Sequence, residues 1–285
     1  MQPLIQPALR LSFIWLWLAA FGWLQPGAAE PLATVRPQAW ERYAVAAPLN
    51  PMRLPAIAIV IDDVGVNVRQ VEATLALPAQ ITIAVLPYAP NAAQLAREAR
   101  ARGHEVMLHL PMQPLGAENP GPHALTVSLS PAEFDRRLAW NLAQLDGYVG
   151  VNNHMGSRLT SDRPAMTKLL DELRRRGLLF LDSRTGPRSV GTEISRSKGV
   201  PNLQRDIFLD HVITPENIRR QLQLTEVVAR RNGFAIAIGH PHPATLAALN
   251  RWALDLEARG FKLAPLSAML NPERPLRSAA LGSVR

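Results

Sequence analysis

Short apolar segments alternate with longer amphipathic stretches along most of the chain, beginning at Ala56. Each apolar segment is five or six residues long, and such segments are typical of strands that helices cover on both faces. Their regular alternation with helices predicts a parallel sheet of about seven strand–helix units. The predicted strands are residues 56–61, 81–86, 105–110, 148–152, 178–182, 234–238 and 261–266, with one more short strand within 184–210.

Helix signals lie between the predicted strands. Ser130-Pro131-Ala132-Glu133 combines a capping hydroxyl, a proline at the first helical position and a glutamate at the third. Asn91 and Thr214 are predicted to cap two further helices, and Gly177 and Gly233 are predicted to end two. The predicted helices lie near residues 67–76, 91–102, 163–176 and 244–259, with two more that begin at Ser130 and Thr214.

The start of the chain predicts export to the periplasm or cell envelope. Arg10 precedes an apolar run, Leu11–Leu24, and the small residues Pro26-Gly27-Ala28-Ala29 follow it. This order is typical of a secretory signal, which we predict is cleaved after Ala29; an uncleaved membrane anchor is the alternative. The chain then divides into a signal peptide at 1–29, a proline-rich linker or arm at 30–54, a folded domain at 55–270 and a tail at 271–285.

Composition narrows the classes of partner. The chain has 285 residues, of which 47% are hydrophobic, enough for one sizeable core. Its formal net charge of +8 comes mostly from arginines on helical stretches, which indicates solvated helix faces or contact with an anionic envelope polymer or lipid. No compact basic run is interleaved with aromatic residues, so we predict no nucleic-acid partner, and membrane contact only through an uncleaved signal segment. The absence of cysteine excludes disulfides and thiolate metal ligands.

Polar side chains that can bind metal or transfer protons follow at least five of the predicted strands. In chain order they are Asp62-Asp63, His109, Asn152-Asn153-His154, Asp182-Ser183 and His240-Pro241-His242. An open doubly wound sheet gathers its site at one switch point, whereas a barrel brings every strand end to one rim, so this distribution predicts a barrel. Aspartate and histidine at such a rim are ligands for zinc or a similar divalent ion.

Each of these residues also has a structural interpretation. Asp62-Asp63 suits a turn or a helix cap, and a lone histidine such as His109 suits a hydrogen-bonded strand end. Asp182 suits an ion pair with a nearby arginine. His104, at the opposite end of its strand, is predicted to be structural. Function is favoured for the set because scattered structural residues would not all fall at the same end of successive strands.

The segments around these residues resemble the divergent polysaccharide deacetylases, which are exported relatives of the carbohydrate esterases. The resemblance covers roughly residues 55–270. Its segments are Ile61-Asp62-Asp63, Gly103–His109, Asn152–Ser157, Leu181-Asp182-Ser183 and Gly239–His242. It implies an α/β fold of the distorted (β/α)7 barrel type, a divalent metal that is usually zinc, and a polysaccharide or peptidoglycan-like glycan as the partner.

The resemblance also implies roles for individual residues. Asp62 corresponds to the general base, and Asp63 corresponds to a metal ligand. His109 corresponds to the first histidine of the family's His-x-x-x-His motif, whose second position is Gln113 in this chain. We therefore expect His154 to be the third metal ligand. The general acid is expected to be His240 or His242, and the substrate-binding residues Asn152, Asn153, Asp182 and Ser183.

Different classes of function remain open from the sequence. The first is a metal-dependent hydrolase that removes N-acetyl groups from envelope sugars. The second is a non-catalytic envelope protein that kept the barrel and binds a glycan or a protein, which Gln113 indicates. A phosphatase or other metallohydrolase on the same rim is a third, although no phosphate-binding loop is present. Metal content distinguishes the first class from the second.

Overall fold

The computed structural model describes residues 37–47 and 54–270. The predicted signal peptide at 1–29 and the predicted tail at 271–285 lie outside these residues. The described part of the chain belongs to one compact unit that begins at Pro37. None of its helices combines the length and the apolar character needed to cross a membrane. Within the predicted linker or arm, Ala39–Tyr43 forms a short helix.

Strands and helices alternate through the described residues. The strands are β1 (Ala56–Val64), β2 (Thr82–Val85), β3 (Val106–Met112), β4 (Gly150–Met155), β5 (Leu179–Asp182), β6 (Asn202–Gln204), β7 (Ile207–Phe208), β8 (Phe234–Gly239) and β9 (Lys262–Leu263). The helices are α1 (Ala39–Tyr43), α2 (Val68–Leu75), α3 (Ala92–Ala101), α4 (Pro131–Leu142), α5 (Arg163–Arg176), α6 (Gly191–Lys198), α7 (Pro215–Asn232) and α8 (Pro243–Ala253). Short 3₁₀ helices span Leu159–Ser161 and Leu266–Leu270.

The strands form one curled, parallel sheet. Their order is β6-β5-β4-β3-β2-β1-β8-β7, and β9 pairs with β1. Asn202–Phe208 is an extended stretch interrupted by two residues: β6 pairs with β5, and β7 pairs with β8. This stretch therefore connects the two edges of the curled sheet. The predicted distorted (β/α) barrel is confirmed.

The differences from the predicted elements lie where local signals are weak. Gly191–Lys198 forms α6 inside the segment predicted to hold only one short strand, and this helix begins without a side-chain cap. The last predicted strand is reduced to Lys262–Leu263, and α8 ends at Ala253. Asn91 stands at the N-cap position of α3 as predicted, but its φ of 57° is left-handed and its side chain makes no capping hydrogen bond. The caps predicted for α4 and α7 are confirmed.

Side chains alternate along β1 between two cores. Ala56, Ala58 and Val60 belong to the inner core, which the curled sheet encloses. The isoleucines that alternate with them belong to the layer between sheet and helices. Small residues on β1 leave room for side chains from the other strands, and larger ones fill the outer layer. Because the interior is packed, a ligand site is confined to the rim of the barrel.

The end of the barrel opposite the predicted site is closed by residues from both ends of the described chain. Leu266 from the last 3₁₀ helix and Trp40 from α1 pack against the inner core. Buried Glu105 holds both segments in place. It accepts a hydrogen bond from Ser267 N at 2.9 Å and another from the Ser267 hydroxyl, and the backbone of Val45 donates to it as well.

Replacing Glu105 by glutamine is expected to make the free energy of unfolding less dependent on pH. Burial raises the pKa of Glu105, although its hydrogen-bond donors oppose this. A carboxyl group with a higher pKa in the folded state adds stability below its unfolded pKa, and this stability is lost as pH rises through the folded value. Denaturant titrations between about pH 5 and about pH 8 should therefore show a larger loss in wild type than in Glu105→Gln. Equal losses would contradict this, and exposed Glu118→Gln is the control.

Candidate metal centre

A β-bulge at the end of β1 brings two neighbouring carboxylates to the rim. Ile61 pairs with Ile83 and Val64 pairs with Val85, so an advance of three residues along β1 is matched by only two along β2. A bulge inserts one extra residue and interrupts the alternation of side chains. Asp63 takes a left-handed φ of 57° at this point. As a result, the carboxylates of Asp62 and Asp63 lie 3.5 and 3.2 Å from the same atom, Nε2 of His109.

Three side chains from separate strands meet around this bulge. Oδ1 of Asp63 lies 2.8 Å from Nδ1 of His154 and 3.2 Å from Nε2 of His109. The two imidazole nitrogens are 3.2 Å apart. Asp63 belongs to β1, His109 to β3 and His154 to β4, and the parallel strands bring all three to one rim. The structure therefore brings together the three residues that the sequence predicts as metal ligands.

This donor set fits a divalent metal ion. Ligand atoms around a tetrahedral zinc, with bonds of about 2.0–2.2 Å, lie about 3.3 Å from one another. Oδ1 of Asp63 is buried. Both imidazole nitrogens lie within 3.2 Å of it, but neither contact has the angles of a hydrogen bond. A shared cation stabilises donor atoms that crowd together without satisfying each other. Asp63, His109 and His154 are the residues that would hold it.

Electrostatic interactions differentiate the two carboxylates. Burial would raise the pKa of Asp63, but the close contacts with His109 and His154 and their positive charge hold it well below its usual range. For Asp62, burial raises the pKa more than the charges of His109 and His240 lower it. Asp63 is therefore the stable anion that a metal ligand must be. Asp62, with its higher pKa, is the better proton acceptor of the two.

Gln113 occupies the position of the second histidine in the family motif, and its side chain stabilises a loop. Its Oε1 accepts a hydrogen bond from Val127 N at 2.9 Å. Its backbone N donates to Leu125 O at 2.9 Å, so both groups hold the segment between β3 and α4. The position beside Asp63 and His109 that a third ligand needs is taken by His154 from the next strand.

Asp210, to which the sequence pattern assigned no functional role, lies behind His240. Its Oδ1 is 2.9 Å from His240 Nδ1. Its Oδ2 accepts hydrogen bonds from His240 N at 2.6 Å and from the Thr245 hydroxyl at 2.8 Å. Asp210, His240 and His242 are close enough to hold a cation. However, both oxygens of Asp210 already have partners, so this carboxylate orients the imidazole.

His240 is the histidine of its pair that faces the carboxylates. Its Nε2 lies 3.8 Å from Oδ2 of Asp63. Burial would lower the pKa of His240, but its hydrogen bond to Asp210 and the charges of Asp62, Asp210 and Asp63 raise it to about 9. The ring is therefore protonated at neutral pH. The ring of His242 lies 6.0 Å from that of His240 and precedes α8.

The four residues predicted to bind substrate make contacts within the protein. Nδ2 of Asn152 donates to Oδ1 of Asp62 at 2.8 Å and lies 3.3 Å from the hydroxyl of Ser183. Oδ1 of Asn153 accepts from Ser183 N at 2.9 Å, and Asp182 accepts hydrogen bonds within its own loop. Asn152 thus positions Asp62, whereas Asn153 and Asp182 hold together the loops after β4 and β5. Substrate contact by these residues stays a prediction.

The fold and the site together define the class of this protein: it is a parallel (β/α) barrel with a candidate aspartate–histidine metal centre at the carboxyl ends of its strands. The model of the divergent polysaccharide deacetylase family matches residues 59–270, and the chain belongs to this family. The resemblance drawn from the sequence motifs is therefore confirmed.

Similar proteins include two bacterial relatives and one solved structure. An uncharacterized protein of Haemophilus influenzae is 40% identical over 193 residues, which cover 68% of this chain and 69% of that protein. The uncharacterized protein YibQ of Escherichia coli is 38% identical over 222 residues, which cover 78% and 69%. The crystal structure of uncharacterized protein ATU2773 from Agrobacterium tumefaciens has a TM-score of 0.78 at 29% identity, covering 81% of this chain and 95% of that one.

Proposed function

We propose that this protein is an exported, metal-dependent hydrolase that removes N-acetyl groups from glycans of the cell envelope. The observation that carries the proposal is the convergence of Asp63, His109 and His154, whose ligand atoms lie within 3.2 Å of one another. Membership of the polysaccharide deacetylase family supports a glycan as the substrate. Zinc is the ion that we propose, because aspartate and imidazole donors at these separations suit it.

The side chains around the three ligands can carry out amide hydrolysis. A divalent ion bound there supplies Lewis acidity toward the acetyl carbonyl and makes a neighbouring water more acidic. Asp62, positioned by Asn152, takes a proton from the attacking water, whose oxygen forms the new bond to the carbonyl carbon. The C–N bond then breaks, and His240 gives its proton to the departing amine nitrogen. Acetate and an amino sugar leave, and solvent returns the proton from Asp62 to His240.

Metal content and acetate release test this proposal together. Gently purified full-length protein should carry about one zinc or substitute ion per chain. It should release acetate from N-acetylated chitin oligosaccharides or from peptidoglycan fragments. A metal-loaded preparation that leaves these glycans and generic acetyl esters intact would count strongly against an enzyme.

A non-catalytic glycan-binding protein is the second candidate. Gln113 favours it, because this residue replaces a histidine of the family motif and is engaged in stabilising a loop. Glycan binding that survives combined Asp62→Asn and His154→Ala substitution, together with no turnover by wild type, would support this candidate over the hydrolase.

Replacing Asp210 by asparagine is expected to lower kcat by at least the about 10- to 100-fold found for residues that orient a metal-ligating histidine. An amide can no longer accept all the hydrogen bonds from His240, and removing the negative charge lowers the pKa of His240 from about 9. The alkaline decline of kcat should therefore move to lower pH. An unchanged pH profile would show that Asp210 has only a structural role, and exposed His211→Ala is the control on the same loop.

A further inference from the structure

Arg184 lies directly after Ser183 on the rim, in a backbone conformation that is held from both sides. Its φ of 51° lies in the left-handed region, which residues with a side chain disfavour. Its N donates to Oδ1 of Asp182 at 2.8 Å, and its carbonyl accepts from Nη2 of Arg205 at 2.9 Å. Backbone strain that neighbouring groups maintain in this way is typical of functional loops.

The guanidinium of Arg184 is exposed and forms no ion pair or hydrogen bond with a residue that the structure describes. Some arginines on the helix surfaces do have an acidic partner. Arg102, Arg136 and Arg163 each pair with a glutamate within 2.9 Å. The side chain of Arg184 therefore stands on the rim as a positive charge without a counter-ion from the described part of the chain.

Two more arginines lie on the loops next to Arg184. Arg158 and Arg188 are also exposed, and their side chains have no acidic partner within the described ranges. Their loops are packed together, since a Cβ added to Gly186 would lie 3.2 Å from that of Ser157. This side of the rim therefore carries three unpaired guanidinium groups on two adjoining loops.

Arg205 lies near Arg184 on this side of the rim, and the two positive charges repel each other. Burial lowers the pKa of Arg205, and the neighbouring charge of Arg184 lowers it further, against the attraction of Asp62 and Asp182. Repulsion between guanidinium groups is relieved when an anion binds between them. The same electrostatic contacts place Arg205 near the carboxylate that we propose as the proton acceptor.

The loop of Arg184 is connected directly to the candidate site. The hydroxyl of Ser183, the preceding residue, lies 3.3 Å from Nδ2 of Asn152, and that amide donates to Asp62 at 2.8 Å. Two short contacts therefore connect Ser183, at the start of the loop that carries Arg184, to Asp62, the proposed proton acceptor. A substrate that reaches Asp62 lies beside this loop.

We infer that Arg184, with support from Arg158 and Arg188, binds an anionic group of the substrate, a carboxylate or a phosphate, next to the N-acetyl group. The planar guanidinium presents paired donors that match both groups. The inference rests on the proposed function for the reaction at the N-acetyl group. Recognition of the anion, in contrast, depends only on the arginines, and a binding measurement can test it separately from turnover.

Calorimetric titration of full-length protein with matched sugars tests this inference. N-acetylmuramic acid is compared with its methyl ester, and N-acetylglucosamine 6-phosphate with N-acetylglucosamine, which separates a carboxylate from a phosphate. We expect at least one anionic sugar to bind about ten-fold more tightly than its neutral counterpart, with or without zinc. Arg184→Gln should abolish this preference, whereas Arg251→Gln on exposed α8 surface should retain it.

A second variant, Arg184→Gly, shows whether a loss of binding comes from the missing guanidinium or from a misfolded loop. Glycine adopts a φ of 51° without strain, so this variant keeps the turn and loses only the side chain. A preference for the anionic sugars that persists in both Arg184 variants overturns the inference, as does the absence of any preference in wild type. A preference that exists only with zinc and is lost in His109→Ala also overturns it, because the anion then binds the metal. Anion preference without acetate release leaves the inference standing and contradicts the proposed hydrolase.

Discussion

His109→Ala is expected to release the bound metal and to reduce acetate release to the background rate. The substitution removes one of three ligand atoms and leaves Asp63 and His154 without the nitrogen that lies 3.2 Å from each. Replacing a residue that only hydrogen-bonds to a metal ligand lowers metal affinity about 10- to 100-fold, and the loss in His109→Ala should be larger. Metal analysis after dialysis and a zinc titration measure the first effect, and acetate release measures the second.

A matched substitution separates this effect from a general loss of histidine. His123→Ala removes a ring that stacks on Trp140 with centroids 3.8 Å apart, and it should keep both metal and activity. Because His109 is buried, thermal unfolding of each variant must be compared with wild type, and Asp63→Ala provides a second test from another strand. Full metal occupancy in folded His109→Ala and Asp63→Ala would show that these residues do not hold the ion.

Asp62→Asn is expected to lower kcat by about 10²- to 10⁴-fold while the metal stays bound. The amide cannot take a proton from water, but it keeps the size of the carboxylate and can still accept the hydrogen bond from Asn152. Asp62 contributes no atom to the proposed ligand set, so metal content should stay close to that of wild type. Turnover under saturating substrate and metal analysis of the same sample measure the two quantities.

The control for Asp62→Asn is Asp135→Asn on the surface of α4, where the carboxylate pairs with Lys168. This control should leave both quantities unchanged. If Asp62→Asn lost its metal together with its activity, Asp62 would be a ligand and not the proton acceptor. Wild-type turnover in folded, metal-loaded Asp62→Asn would instead remove Asp62 from the mechanism.

The barrel and the place of its site follow from simple features of the sequence. Strands that are apolar throughout, such as residues 178–181, require cover on both faces, which a parallel sheet between two layers provides. Carboxylate and imidazole side chains occur at the carboxyl ends of those strands, and a parallel barrel brings these ends to one rim. That these side chains gather at one rim could therefore be predicted without coordinates, whereas the choice of Asp63, His109 and His154 as ligands came from the family resemblance.

Features that depend on pairing between strands could not be predicted. In a regular strand, Asp62 and Asp63 point to opposite faces. The bulge that turns both toward His109 is a property of the register between β1 and β2. Asp210 and His240 are separated by 30 residues, so no local pattern links them. Helix α6 was missed because it is short and begins without a capping side chain.

The closure of the barrel base by Glu105 has a consequence for the order of folding. Ser267, which donates to this carboxylate, follows it by 162 residues, so the base cannot close until nearly the whole domain is available. Contacts between such distant residues require the closure of long loops and slow the folding of a chain. Closure of the base is therefore expected to be a late step in the folding of this domain.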